Sequence, residues 1–191
     1  MASLTGFEIA FIATDGVEQW QLETPWNALL EEGAQLTLIG IHEGWIQSFR
    51  GLDSGRKFQI GRTIDQVRID QFDALVIPGG PLNIDELRTQ VRVIAFIREF
   101  EEAGKPIATL AHAPWLLIST GLMRGRTLTS SPSLADDVCN AGAQWVDLPV
   151  IADRNWITGR GKSEDLGEFM TTAVHAFGRS TPPVIQVAES A

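Results

Sequence analysis

Cysteine is nearly missing from this chain: among 191 residues there is one, Cys139. A single thiol excludes an internal disulfide and any cysteine-rich metal site. Histidine is scarce too. His42, His112 and His175 are scattered, and none stands at ligand spacing from a carboxylate, so neither a metal nor a cofactor is expected. Positive charge is in short supply, with 15 Lys and Arg against 24 Asp and Glu and a net charge of −9. That mean field repels a phosphate backbone, and no Lys or Arg run offsets it locally, so nucleic acid is not an expected partner. No apolar stretch approaches the roughly 18 residues of a membrane span. The start, MASLTGFEIA, lacks the basic and long apolar regions of a secretory signal. A cytoplasmic protein with no membrane partner is expected.

What is present is ordinary for a globular chain: 44% hydrophobic residues, 20% charged, and 18 glycines for tight turns. A domain of this length buries about 70% of the surface its unfolded chain exposes, so it needs no covalent staple. No repeat or linker divides the sequence. One domain is expected over 1–178, followed by a flexible tail at 179–191 that contains Pro182-Pro183.

Short apolar runs alternate with amphipathic segments. Phe7–Ala13 reads as a strand buried on both faces, because its apolar run is nearly continuous. Thr24-Pro25 then suits a helix start and Gly33 its end. Gln35–Ile41 is a second strand, 44–62 a polar β-ribbon, and Asp73–Ile77 a third buried strand running into Pro78-Gly79-Gly80-Pro81. From Asp85 to Ala103 the spacing of Leu87, Val91, Ile94, Ile97 and Phe100 predicts one long helix. Pro106–Leu110 is a fourth strand and Pro114–Gly121 a short helix. A helix near Leu134–Ala141, a late ribbon of Trp145–Asp147, Val150–Ala152 and Trp156–Thr158, and a last helix over Asp165–Phe177 follow. Strands separated by helices imply an α/β fold with a mainly parallel sheet covered on both faces.

The chemistry-bearing segment is Gly104-Lys105-Pro106-Ile107-Ala108-Thr109-Leu110-Ala111-His112-Ala113-Pro114-Trp115. A strand that turns straight into a helix projects one side chain at the carboxyl edge of the sheet, where α/β sheets place their ligands. Here that position is Ala111, and the next residue, His112, offers a backbone N–H toward a developing oxyanion.

On these residues the chain resembles the ThiJ/PfpI superfamily, within the class I glutamine amidotransferase-like fold, and most of all its PfpI-type branch of peptidases, glyoxalases and deglycases. The blocks that carry the resemblance run in order from Phe7 to about Phe177. They are Asp15-Gly16-Val17-Glu18, Phe72–Gly80, Gly104-Lys105-Pro106, Leu122–Arg126, Asn140–Asp147 and Asn155–Thr158. The resemblance implies a flavodoxin-like three-layer sandwich. It maps the family's nucleophilic cysteine onto Ala111, its histidine onto His112, and the carboxylate that touches the thiol onto Glu18. A carboxylate reaching the histidine of a neighbouring subunit falls on Asp85, and a homodimer or hexamer is implied. Gly80 and His112 supply backbone donors, with Gly79, Ala113 and Trp115 completing the pocket. A small carbonyl or carboxylate compound is the implied ligand. A thiolate is the nucleophile in such sites, and a methyl group cannot replace it.

Two explanations of Ala111 stay open. The chain is a natural, catalytically impaired homologue, or an alanine variant of a cysteine-dependent glyoxalase, deglycase or peptidase. Each site residue also has a plainer reading: Ala111 as packing, His112 as a locally satisfied imidazole, and Glu18 and Asp85 as acids at helix starts. Cys139 lies away from the elbow and reads as packing. Gly159-Arg160-Gly161-Lys162-Ser163 is not a phosphate loop, because Trp156 stands where a Walker sequence needs glycine. Among Trp20, Trp26 and Trp115, only Trp115 is expected to wall the pocket.

Overall fold

The computed structural model describes residues 4–179. Its main sheet has seven strands in the order β11-β12-β8-β7-β1-β3-β6. These are β1 (Glu8–Ile12), β3 (Gln35–Gly40), β6 (Arg62–Thr63), β7 (Ala74–Ile77), β8 (Ile107–Leu110), β11 (Val150–Asp153) and β12 (Trp156–Gly159). All neighbours are parallel except the β11–β12 hairpin.

Alternate side chains of each strand enter opposite cores, as a period of two requires. Ala10, Ile12, Leu75, Ile77, Ile107 and Trp156 face one core. Ile9, Phe11, Ala74, Val76, Ala108, Leu110 and Ile157 face the other. Helices α2 (Pro81–Leu87), α3 (Val91–Glu102), α4 (Pro114–Thr120) and α5 (Ala135–Asn140) cover the first face. Helices α1 (Gln19–Glu31) and α6 (Leu166–Arg179) cover the second. The result is the three-layer sandwich with a mainly parallel sheet. No helix among the described residues is long and apolar enough to cross a membrane.

The ribbon at 44–62 forms β4 (Trp45–Arg50) and β5 (Asp53–Gln59), and β4 also pairs with the two-residue β2 (Val17–Glu18). Three expectations need correction. The first helix begins at Gln19, five residues ahead of Thr24, and carries Pro25 inside it. One backbone hydrogen bond is lost there, but Leu22, Pro25 and Leu29 are buried by the helix, and such packing outweighs local propensity. The expected single helix over Asp85–Ala103 is two, broken at Arg88–Gln90. The Thr89 hydroxyl donates to the Glu86 carbonyl at 2.8 Å, competing for an oxygen that a continuing helix needs. The expected late ribbon divides as well. Gln144–Trp145 (β10) pairs in parallel with Thr127–Leu128 (β9) in a separate small sheet, leaving only β11 and β12 as the hairpin. The expected tail, apart from Arg179 at the end of α6, lies outside the described residues.

Candidate functional site

Because β1, β7, β8 and β12 run in parallel, their carboxyl ends emerge on one edge of the sheet. At the end of β8 the chain turns through Ala111, His112 and Ala113 into α4. Ala111 adopts φ +54°, one of two non-glycine residues in the left-handed region among those described. That conformation costs an L-residue about 1–2 kcal/mol, so its surroundings must enforce it. They do so on both sides of the residue. The Ala111 N–H donates to Gly159 O at 2.9 Å, its carbonyl accepts from the Ser131 N–H at 2.8 Å, and the Ala113 N–H returns to Leu110 O at 2.9 Å.

A cavity of about 290 Å³ opens over this turn. Its walls include Glu18, Trp20, Gly80, Ala111, His112 and Lys162. Among the described residues, Glu18 is the only carboxylate that lines it. That side chain is half-buried, and Oε2 accepts the N–H of Gly51 at the β4–β5 hairpin tip, 3.1 Å away. Its own N–H reaches Gly79 O at 3.3 Å.

The Gly79-Gly80 turn is fastened by buried amides. Gly79 N–H donates to Gln21 Oε1 at 3.0 Å, and Asn83 Nδ2 donates to both Pro78 O and Gly79 O at 3.1 Å. Asn83 Oδ1 meanwhile accepts the Thr14 N–H from the end of β1 at 2.8 Å. Gly80 sits at φ +102°, and a Cβ there would collide with the Gly16 carbonyl and lie 2.7 Å from Glu18 N. Only glycine permits that approach. The amides of Gly80 and His112 have no hydrogen-bond acceptor among the described residues.

The far wall is the loop after β12. Arg160 is clamped: Nε and Nη2 donate to the two Asp165 oxygens at 2.9 and 3.1 Å, and Nη1 donates to Asp147 at 2.9 Å. This clamp holds Gly161 against Ala111, with Lys162 exposed at the rim. On the opposite side, Ser133 Oγ lies 3.4 Å from His112 Nε2 and 3.1 Å from Ser131 Oγ. Burial pushes the His112 imidazole below its ordinary pKa, which favours the neutral ring.

The structure therefore brings Glu18, Gly80, Ala111 and His112 together, and leaves other expected residues elsewhere. Trp115 does not line the cavity. It shares one face of α4 with Ser119, a turn later, and Arg88 covers that face, its guanidinium 4.4 Å from the Trp115 ring and its Nε donating to Ser119. Ala113 is fully buried in the core. Gly79 is close by, but its amide is spent on Gln21. Asp85 is exposed on α2, outside the cavity.

Trp20, Gln21, Ser131 and the 160–162 loop were missed. The signal for the loop was available, since a segment following a strand parallel to β8 must leave at the elbow's edge. Trp20 carried no comparable mark. Among the described residues, no group of three or more His, Cys, Asp or Glu could hold a metal.

Comparison with known proteins agrees over most of the chain. The model of the DJ-1/PfpI family matches residues 8–176. A deglycase from Pyrococcus horikoshii is 37% identical over 80% of this chain and 89% of its own length. Protein/nucleic acid deglycase 2 of Escherichia coli is 33% identical over 90% and 98%. Among solved structures, a two-domain protein from Anabaena variabilis with DJ-1/ThiJ/PfpI-like and ferritin-like domains superposes with a TM-score of 0.83 at 31% identity. That match covers 90% of this chain and 48% of the longer one. A cysteine-to-alanine mutant of a DJ-1 superfamily protein from Salmonella typhimurium gives 0.80 at 26% identity, over 92% and 93%.

Proposed function

Since the chain belongs to the DJ-1/PfpI family, we propose that its elbow cavity binds a small carbonyl compound or anion and performs no thiol chemistry on it. The observation that carries this reading is Ala111 at φ +54°. The elbow backbone and the cavity around it persist where the family resemblance puts a sulfur, and a methyl group cannot attack a carbonyl. Backbone donors held in place before a ligand arrives suit a polarised oxygen.

Methylglyoxal and small carboxylates titrated against the protein should produce a saturable change in fluorescence that is lost in Trp20→Phe. An absence of saturable binding, or cysteine-like turnover by the protein as it stands, would refute the proposal. The second reading is a deglycase, glyoxalase or peptidase frame from which only the thiol has gone, favoured by relatives named as deglycases. On that reading Ala111→Cys gains methylglyoxal consumption. An introduced thiol that is reactive yet gives no turnover counts against it. The same resemblance suggests a cytoplasmic homodimer or hexamer.

A further inference from the structure

The elbow cavity holds what is needed for a reaction that never required sulfur. Glu18 is its sole carboxylate, and no cation pairs with it among the described residues. One oxygen, Oε2, is anchored by the Gly51 N–H at 3.1 Å, while Oε1 has no hydrogen-bond partner among the described residues. The strand that carries it is fixed on two sides, by pairing of Glu18 with Phe49 and by its N–H on Gly79 O. The same cavity is lined by Gly80 and His112, whose amides have no acceptor among the described residues. Arg160 also borders the cavity, but each of its three nitrogens is drawn toward Asp147 or Asp165. A held carboxylate that shares a small cavity with a pair of free N–H donors suits removal of a proton beside a carbonyl and stabilisation of the resulting oxyanion.

We propose that this site enolises small α-hydroxycarbonyl compounds, with Glu18 as the base and the Gly80 and His112 amides as the oxyanion donors. Glu18 Oε1 takes the proton from the hydroxyl-bearing carbon. The C–H electron pair becomes the C=C bond of an enediolate, and the carbonyl π pair moves onto the oxygen held by the two amides. Transfer of the neighbouring hydroxyl proton onto that oxyanion, with return of the Glu18-held proton to the former carbonyl carbon as the C=C pair takes it up, gives the isomeric hydroxycarbonyl. No oxidant, metal or second substrate is consumed. A cavity of about 290 Å³ accommodates a substrate of a few carbons. The inference rests on the reading that the cavity takes carbonyl compounds, and adds a reaction to it.

Dihydroxyacetone in D2O, followed by proton NMR, tests it. The protein should exchange the carbinol hydrogens for deuterium about 100-fold faster than E18Q, the scale of one general base. E18Q keeps an acceptor for the Gly51 N–H, and its fold is checked by circular dichroism. Glu18→Asp should restore part of the rate. Exchange equal in E18Q and the parent overturns the proposal. So does background exchange accompanied by saturable quenching of Trp20, an outcome that leaves the binding reading standing. Neither exchange nor binding would overturn both.

Discussion

Gly161 and Ala111 should be energetically coupled, because the loop after β12 rests directly on the elbow. Gly161 has φ +85°, and a Cβ built there would overlap the Ala111 Cβ and lie 2.8 Å from its Cα and 3.0 Å from its N. The loop cannot back away freely while Arg160 is clamped by Asp147 and Asp165. Gly161→Ala therefore adds left-handed strain of about 1–2 kcal/mol and overpacking of about 1–3 kcal/mol. Together these predict a loss of about 2–5 kcal/mol. Ala111→Gly alone should be close to neutral: relief of strain at φ +54° is offset by about 0.4–1 kcal/mol of added unfolded-chain entropy. In the double variant the Cβ–Cβ overlap is gone while the approach to the backbone of residue 111 remains, so part of the overpacking cost of about 1–3 kcal/mol should return. Urea denaturation of the four proteins measures this coupling. If the two changes add to within about 0.5 kcal/mol, the loop does not press on the elbow as argued.

Glu101 supports the opposite end of the sheet. It pairs with Arg126, whose side chain is 2% exposed, and accepts from Trp156 Nε1 at 2.6 Å and Asn155 Nδ2 at 2.9 Å. Glu101→Ala strands that buried charge and should cost about 3–5 kcal/mol; a change below about 1 kcal/mol in urea denaturation would contradict the packing argument. His112 predicts a pH dependence. Its folded pKa is lowered by burial, so below about pH 6.5 the unfolded chain binds the proton more readily and stability falls with pH. His42, raised chiefly by its hydrogen bond with the Glu43 carbonyl and also by Asp15, acts in the opposite sense: its contribution is lost as pH rises. The parent should therefore lose more stability than His112→Gln between about pH 8 and pH 5.5, and parallel curves would refute the assignment. If Asp85 bridges subunits, sedimentation of Asp85→Ala should show a smaller assembly, and an unchanged profile would remove it from any interface.

The buried strands were legible because each is a short apolar run bounded by turn residues. The elbow was legible because Leu110-Ala111-His112-Ala113-Pro114 follows such a run directly. What escaped depends on partners far away in sequence. Gln21 reaches Gly79 across 58 positions and Asn83 reaches Thr14 across 69, and no local pattern marks a buried amide for that role. The tryptophans exchanged places for a geometric reason. Trp20 follows Glu18 on a helix that starts earlier than Pro25 suggests, at the mouth of the cavity, whereas Trp115 shares its face of α4 with Ser119 beneath Arg88. These placements bear on what the elbow alanine means. A residue that carried no positional demand would relax out of φ +54°. Here Gly159, Ser131 and Leu110 fix the turn through backbone groups that are indifferent to the side chain at position 111. The strain thus belongs to the frame, and a methyl group at its apex leaves the cavity lined by the carboxylate of Glu18 and the backbone of Gly80 and His112, the groups on which the proposed enolisation depends.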